Sequence, residues 1–152
     1  MGLRAHTNHL ILFEGKPGGG GSPSGETPAS LRAVYNLGSS GGSDVIAIVD
    51  AYDYPTAEND LNVFSAEFNL PPCTTANGCF KKVYASGSKP RTNCGWSQEA
   101  ALDIEWAHAM APSAKIILVE AATNSFANLF AAVDVATNQV LTNGGKGEVS
   151  RN

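Results

Sequence analysis

Charge is scarce in this sequence, and it is not clustered. Asp, Glu, Lys and Arg make up 16% of the 152 residues, with a formal net charge of −4. A nucleic acid or an anionic membrane is met by a basic patch or stripe, and no run of Lys and Arg supplies one. Neither is expected as a partner. Disorder driven by high charge and low hydrophobicity is also excluded for most of the chain, since 43% of residues are hydrophobic. Long apolar runs are lacking too. A membrane-spanning helix needs about 20 apolar residues. Residues 9–13 (HLILF) hold only four in a row, too few even for a signal-peptide core. The chain is therefore expected to be cytoplasmic, or to have Met1 inside a longer gene.

Cysteine is limited to Cys73, Cys79 and Cys94. Three thiols at these spacings offer too few ligands for a metal site. Cys73 and Cys79 bracket a loop, Thr-Thr-Ala-Asn-Gly, which can turn back on itself. They form either a disulfide, which needs an oxidising compartment, or two separate thiols. Cys94 is then a free thiol, or its partner lies outside the chain.

Glycine and proline are plentiful, at 16 and 8 residues, and they punctuate the chain. Residues 15–26 (GKPGGGGSPSGE) read as a flexible linker, because a run of glycines loses too much entropy in regular structure. The domains are accordingly 1–26, a linker or leading tail, and 27–152. Thr27 followed by Pro28 is a helix start, with Gly38 as its end. Residues 39–43 form a second loop. The apolar run at 45–49 (VIAIV) suits a strand buried on both faces. A helix is expected over 56–68, capped by Thr56, with Leu61, Phe64 and Phe68 on one face. A short strand follows at 82–85, then a helix over 97–110. Residues 115–119 (KIILV) form another buried strand. A helix over 125–141 carries Phe126, Leu129, Phe130, Val133, Ala136 and Val140 as its apolar stripe. Residues 148–150 look like the start of a further strand. Strands alternating with helices predict an α/β fold, a parallel sheet flanked by helices.

The chemistry concentrates in residues 95–112, GWSQEAALDIEWAHAMAP. Glu99 and Asp103 are four apart on the predicted helix, so both carboxylates share a face, one turn apart. Two such acids either form a solvated acidic face together with Glu105, or share a proton so that one carboxyl orients the other. A two-carboxylate metal site is a third reading. His108 does not assist it, because its position falls near the opposite face of the helix from Glu99.

Several segments, in order, resemble the sedolisin (serine-carboxyl) peptidases: TPASLRAVYNL, VIAIVDAYDYPTAENDLNVFSAEFNLP, PPCTTANGCFKKV and GWSQEAALDIEWAHAMAPSAKIILVEA. The most specific part is E-x-x-x-D followed by A-P-x-A-K-I and an apolar strand. The resemblance covers about four-fifths of the chain. It implies an incomplete subtilisin-like three-layer domain and acid-acting cleavage of a polypeptide substrate through a Ser-Glu-Asp triad. Glu99 would be the general base and Asp103 its orienting partner. Asp50, after the first core strand, would extend the hydrogen-bond chain, or serve only as a turn residue. Trp96 would line the substrate cleft, or only pack in the core. The family is secreted and is made with a propeptide, so residues 1–26 would include that propeptide's tail, and the propeptide itself is a further expected partner.

The same resemblance marks what is missing. The family's Ser-Gly-Asp-Ser and Gly-Thr-Ser stretches, and the calcium site beyond them, have no counterpart in this sequence. No cofactor is expected within the chain. Ser22, Ser24, Ser39, Ser40 and Ser43 precede the first core strand, the wrong place for an elbow nucleophile, and Ser150 is not the nucleophile either. The ending Arg151-Asn152 departs from the family pattern, as a truncated or frameshifted gene would. The chain is therefore expected to be an inactive part of a peptidase, with an inactive peptide-binding or remnant module as the alternative. A nucleotide-binding protein is disfavoured, because GKPGGGG lacks both the G-x-x-x-x-G-K-[ST] and the G-x-G-x-x-G order. No internal repeat or heptad suggests a structural protein.

Overall fold

The computed structural model describes residues 2–7, 25–38 and 41–146. The expected strand at 148–150 and the apolar stretch at 10–13 lie outside the described residues, as does most of the linker. Helix α1 (Pro28–Val34) begins as its sequence dictates. Thr27 Oγ1 accepts from the Ser30 amide at 3.1 Å, and Ser30 Oγ accepts from the Thr27 amide at 2.8 Å, a reciprocal cap with Pro28 just inside. It ends before Gly38. Asn36 adopts a φ of 52°, and the Leu37 amide closes back on the Arg32 carbonyl at 2.8 Å.

Strands β1 (Val45–Ala51), β2 (Phe80–Tyr84) and β3 (Lys115–Ala121) form one parallel sheet in the order β1-β3-β2. Residues 45–49 form the expected strand and pack on both faces, but their burial is only partial. Among the described residues β1 is an edge strand and its first five residues are half-buried, whereas Ile116 to Val119 of β3 are fully buried. A short apolar run states that a strand is apolar; its place in the sheet is decided by pairing partners far away in sequence. Strand β2 starts two residues earlier than expected. Cys73 and Cys79 are disulfide-bonded, and the loop they close brings the Phe80 amide to the Thr74 carbonyl at 3.1 Å.

Alternation sorts the sheet into two faces. On one, Ile46, Ile48, Phe80, Ile116 and Leu118 meet helices α2 (Ala57–Glu67) and α3 (Cys94–Met110) through Ala57, Leu61, Ala100 and Ile104. On the other, Val45, Ala47, Val49, Val83, Ile117 and Val119 meet helix α4 (Phe126–Thr142) through Leu129, Ala132, Val135 and Ala136. The result is an α/β domain with helices on both faces of a parallel sheet. Truncating the fully buried Leu61 to Ala costs about 2–5 kcal/mol by this packing.

The apolar stripe of α4 is the expected one only in part: Leu129 and Ala136 pack on the sheet, but the two phenylalanines do not. Phe126 and Phe130 are 39% and 67% exposed and stack on each other at 5.9 Å, while Ala132 and Ala136 are buried. The valines and isoleucine of the sheet fill the interface, so the helix turns its small residues inward. Helix α3 starts one turn before the expected Ser97. The Asn93 side chain caps it, accepting from the Trp96 amide at 3.1 Å. No helix among the described residues is long and apolar enough to cross a membrane.

Candidate active site

All three strands are parallel, so their carboxyl ends lie together, the end at which open α/β sheets hold ligands. Register pairs Asp50 of β1 with Glu120 of β3, and Glu120 with Tyr84 of β2. By alternation Asp50 continues the row of Ile46 and Ile48, and Glu120 that of Ile116 and Leu118. The apolar layer beneath α3 therefore terminates in carboxylates.

Helix α3 brings two more. Asp50 is buried, and its carboxyl is held well above the usual range, first by burial and then by the charges of Asp103, Glu99 and Glu120. Its Oδ2 has no hydrogen-bond partner among the described residues. Burial and the charge of Glu99 raise Asp103 in the same direction. Glu99, Asp103 and Asp50 thus lie within one another's field. Trp96 is half-buried in the first turn of α3, one turn ahead of Glu99. Carboxyls raised in this way keep a proton further up the pH scale, so that one can donate while its neighbour accepts.

A second group of charges adjoins the first and was not anticipated from the sequence. The chain leaves β1 at Tyr52, whose φ of 69° is uncommon for a residue with a side chain. Tyr52 is locked there. Its amide donates to the Ala121 carbonyl at 2.8 Å, its hydroxyl donates to Asn124 Oδ1 at 2.8 Å, and the Arg91 guanidinium lies 5.0 Å from its ring centre. This turn delivers Asp53 to the strand ends. Lys82 Nζ lies 2.9 Å from Asp53 Oδ1, 2.9 Å from the Tyr54 carbonyl and 3.4 Å from Glu120 Oε1. Lys89 Nζ lies 3.3 Å from Asp53 Oδ2. The Tyr54 amide donates to Glu120 Oε1 at 2.8 Å.

Burial pushes Asp53 upward, but the hydrogen bonds and charges of Lys82 and Lys89 outweigh it, and the carboxyl sits below its ordinary range. Glu120 is pushed up to about 7, mainly by burial, with Asp53 adding and the Tyr54 amide and Lys82 opposing. Asp53 and Lys82 are too far apart in sequence for any local spacing to link them. A signal for Glu120 did exist: residues 45–50 and 115–120 both read as an apolar run ended by an acid.

Residues 2–7 lie along the same end of the sheet. Arg4 bridges to Ser125, the Ala5 amide donates to the Asn124 carbonyl at 2.8 Å, and Asn124 Nδ2 donates to the Ala5 carbonyl at 2.6 Å. Thr7 Oγ1 lies only 3.3 Å from where a Cβ on Gly95 would sit. Elsewhere, Cys73, Cys79 and His108 are the one group of three metal-type ligands that the described residues bring together. Both sulfurs are in the disulfide, and His108 Nε2 lies 2.8 Å from the Pro71 carbonyl oxygen. Cys94 is an exposed thiol. Comparison of the chain with protein-family models, with curated proteins and with solved structures finds no match.

Proposed function

We propose that the chain is the N-terminal part of the catalytic domain of a sedolisin-type serine-carboxyl endopeptidase with a subtilisin-like fold. The supporting observation is the gathering of Glu99, Asp103 and buried Asp50 at the carboxyl end of the sheet. In this reading Glu99 takes the proton of a nucleophilic serine as it attacks the peptide carbonyl. Asp103 orients Glu99, and Asp50 holds Asp103 from below. A carboxylate base is weak, so the pair works in acid, where one proton is shared between two carboxyls. Trp96 borders the polypeptide substrate.

The serine and the oxyanion donor are not among these residues, since the sequence contains neither Gly-Thr-Ser nor Ser-Gly-Asp-Ser. Loss of a serine nucleophile costs about 10⁶ in turnover, so the chain by itself is inactive.

Two measurements test the proposal. The purified chain is incubated with a denatured protein at about pH 3–5, the acid range the resemblance implies, and no serine-dependent cleavage is expected. Sequencing the transcript beyond the Asn152 codon should reveal Gly-Thr-Ser and Ser-Gly-Asp-Ser codons, in frame or one base out. Robust cleavage by the chain alone would overturn the assignment of an inactive part. A long continuation with neither motif would overturn the family assignment.

A further inference from the structure

An open groove of about 570 Å³ lies between α2 and α3, built from residues other than those of the acid cluster. Its apolar wall is Val63, Phe64, Phe68 and Trp106. The rings are interlocked: Phe64 and Phe68 are 4.8 Å apart, and Phe64 meets Trp106 edge-on at 6.1 Å. Val63 is 63% exposed, a position at which a lone structural role would not require a valine.

The remaining lining groups are all acidic: Glu26, Asp60, Glu67 and Glu105. Among the described residues no cation lines the groove. Arg32, the basic residue of nearby α1, donates instead to the Ala109 carbonyl. Asp60 is occupied by the hydroxyls of Tyr54 and Thr56, at 2.7 and 2.6 Å, and Glu26 accepts from Ser30 Oγ at 2.7 Å. Glu105 is pushed up to about 7 by burial and by the charge of Asp60.

We propose that this groove docks a basic polypeptide segment with an apolar anchor, the side chain of the anchor on Phe64 and Trp106 and flanking Lys or Arg against the carboxylates. Aromatic faces attract ammonium and guanidinium groups, and the aliphatic stems of Lys and Arg cover apolar surface. Anionic lipid or nucleic acid would face four carboxylates and is repelled. The inference does not depend on the peptidase reading, because it uses none of Glu99, Asp103 or Asp50.

The test titrates the purified chain into a fluorescein-labelled peptide of about a dozen residues with alternating Lys and Leu, read by anisotropy in low salt. A matched Glu/Leu peptide serves as control. Saturable binding tighter than about 100 μM is expected for the basic peptide alone. Glu67→Lys and Val63→Asp, both at exposed positions, should each weaken it at least about tenfold, or 1.4 kcal/mol. Circular dichroism checks that both remain folded. Asp134→Lys, on the exposed side of α4, makes the same charge change away from the groove and should leave binding within about twofold, since no contact to the peptide is lost. Binding should also be weaker at pH 5 than at pH 8, because Glu105, held up by burial and by the charge of Asp60, carries a proton at the lower pH that competes with the bound cation. Equal binding of the acidic peptide, equal loss in Asp134→Lys, or no saturation by about 1 mM would overturn the proposal.

Discussion

Asp50 and Asp53 are the same residue type, three positions apart, and 2% and 1% exposed, yet their carboxyls are displaced in opposite directions. Asp53 meets Lys82 at 2.9 Å and Lys89 at 3.3 Å and is held below the ordinary range. Asp50 faces Asp103, Glu99 and Glu120 and is held above it. Burial raises both and is the first cause for each; the ammonium groups beside Asp53 are what turn it the other way, while the carboxylates around Asp50 add to its rise. One half of the strand-end cluster is a neutralised structural pair. The other half is a set of carboxyls that raise one another, as perturbed groups at functional sites commonly do.

The largest effect should come from removing the cation on the structural side. Lys82→Met leaves buried Asp53 and Glu120 without their close ammonium, and breaking a buried pair by taking one partner costs about 3–5 kcal/mol. Urea denaturation at pH 7.5 should show that loss. At about pH 4.5 it should shrink, because Asp53, no longer held down by Lys82, takes up a proton. Adding Asp53→Asn to the variant should restore part of the stability at pH 7.5. A loss of equal size at both pH values would mean that packing of the lysine stem, not charge, is what Lys82 contributes.

Asp50→Asn should act in the opposite sense. A group whose folded pKa is raised favours the native state in acid, and that advantage is lost as pH rises from the unfolded value, about 3.9, towards the folded one. The neutral amide escapes the repulsion. Asp50→Asn is expected to raise stability at pH 7.5 and to change it little at pH 4. Thermal melts at the two pH values decide it. If the variant were destabilised at neutral pH, Asp50 would be a paired carboxylate like Asp53, and the contrast between them would fail.

Glu120 lies between the two halves, so its variant sharpens the boundary. Glu120→Gln keeps an oxygen for the Tyr54 amide, 2.8 Å from Oε1, but no longer titrates. With Glu120 pushed up to about 7, stability of the parent should fall as pH rises from about 4.3 towards that value. The variant should remove most of this slope across the window. An unchanged slope would assign the pH dependence to the other raised carboxyls, Asp50, Asp103 and Glu105.

The elements were legible where one side chain carried the signal, as at Thr27-Pro28 or in the run ending at Asp50. The α3 spacing of Glu99 and Asp103 was legible too, because helix geometry puts neighbours four residues apart. What was not legible depended on distant partners. The edge position of β1 is set by its pairing with β3, some 70 residues on. Lys82 reaches Asp53 only because Tyr52 turns the chain back at a positive φ. On α4, periodicity located the helix and put Leu129 and Ala136 on the sheet, but it put Phe126 and Phe130 there too, since Phe and Ala both count as apolar and only the bulk of the opposing sheet chooses the small residues.

The smallest effect is expected at Lys89, and it separates contact from field. Lys82 and Lys89 both approach Asp53, but their side chains are 22% and 60% exposed. A solvated ammonium gives up side-chain entropy to hold one geometry and is screened by salt, so an exposed pair is worth about 0.2–1 kcal/mol. Lys89→Ala should therefore lower stability by less than about 1 kcal/mol in low salt. In about 1 M salt, where screening acts over some 3 Å, the difference should vanish, while the loss in Lys82→Met persists because that pair is shielded from the solvent ions. Comparable losses for the two lysines, both erased by salt, would show that Asp53 responds to the summed field of its surroundings. Its contrast with Asp50 would then be one of distance from positive charge rather than of a specific buried contact.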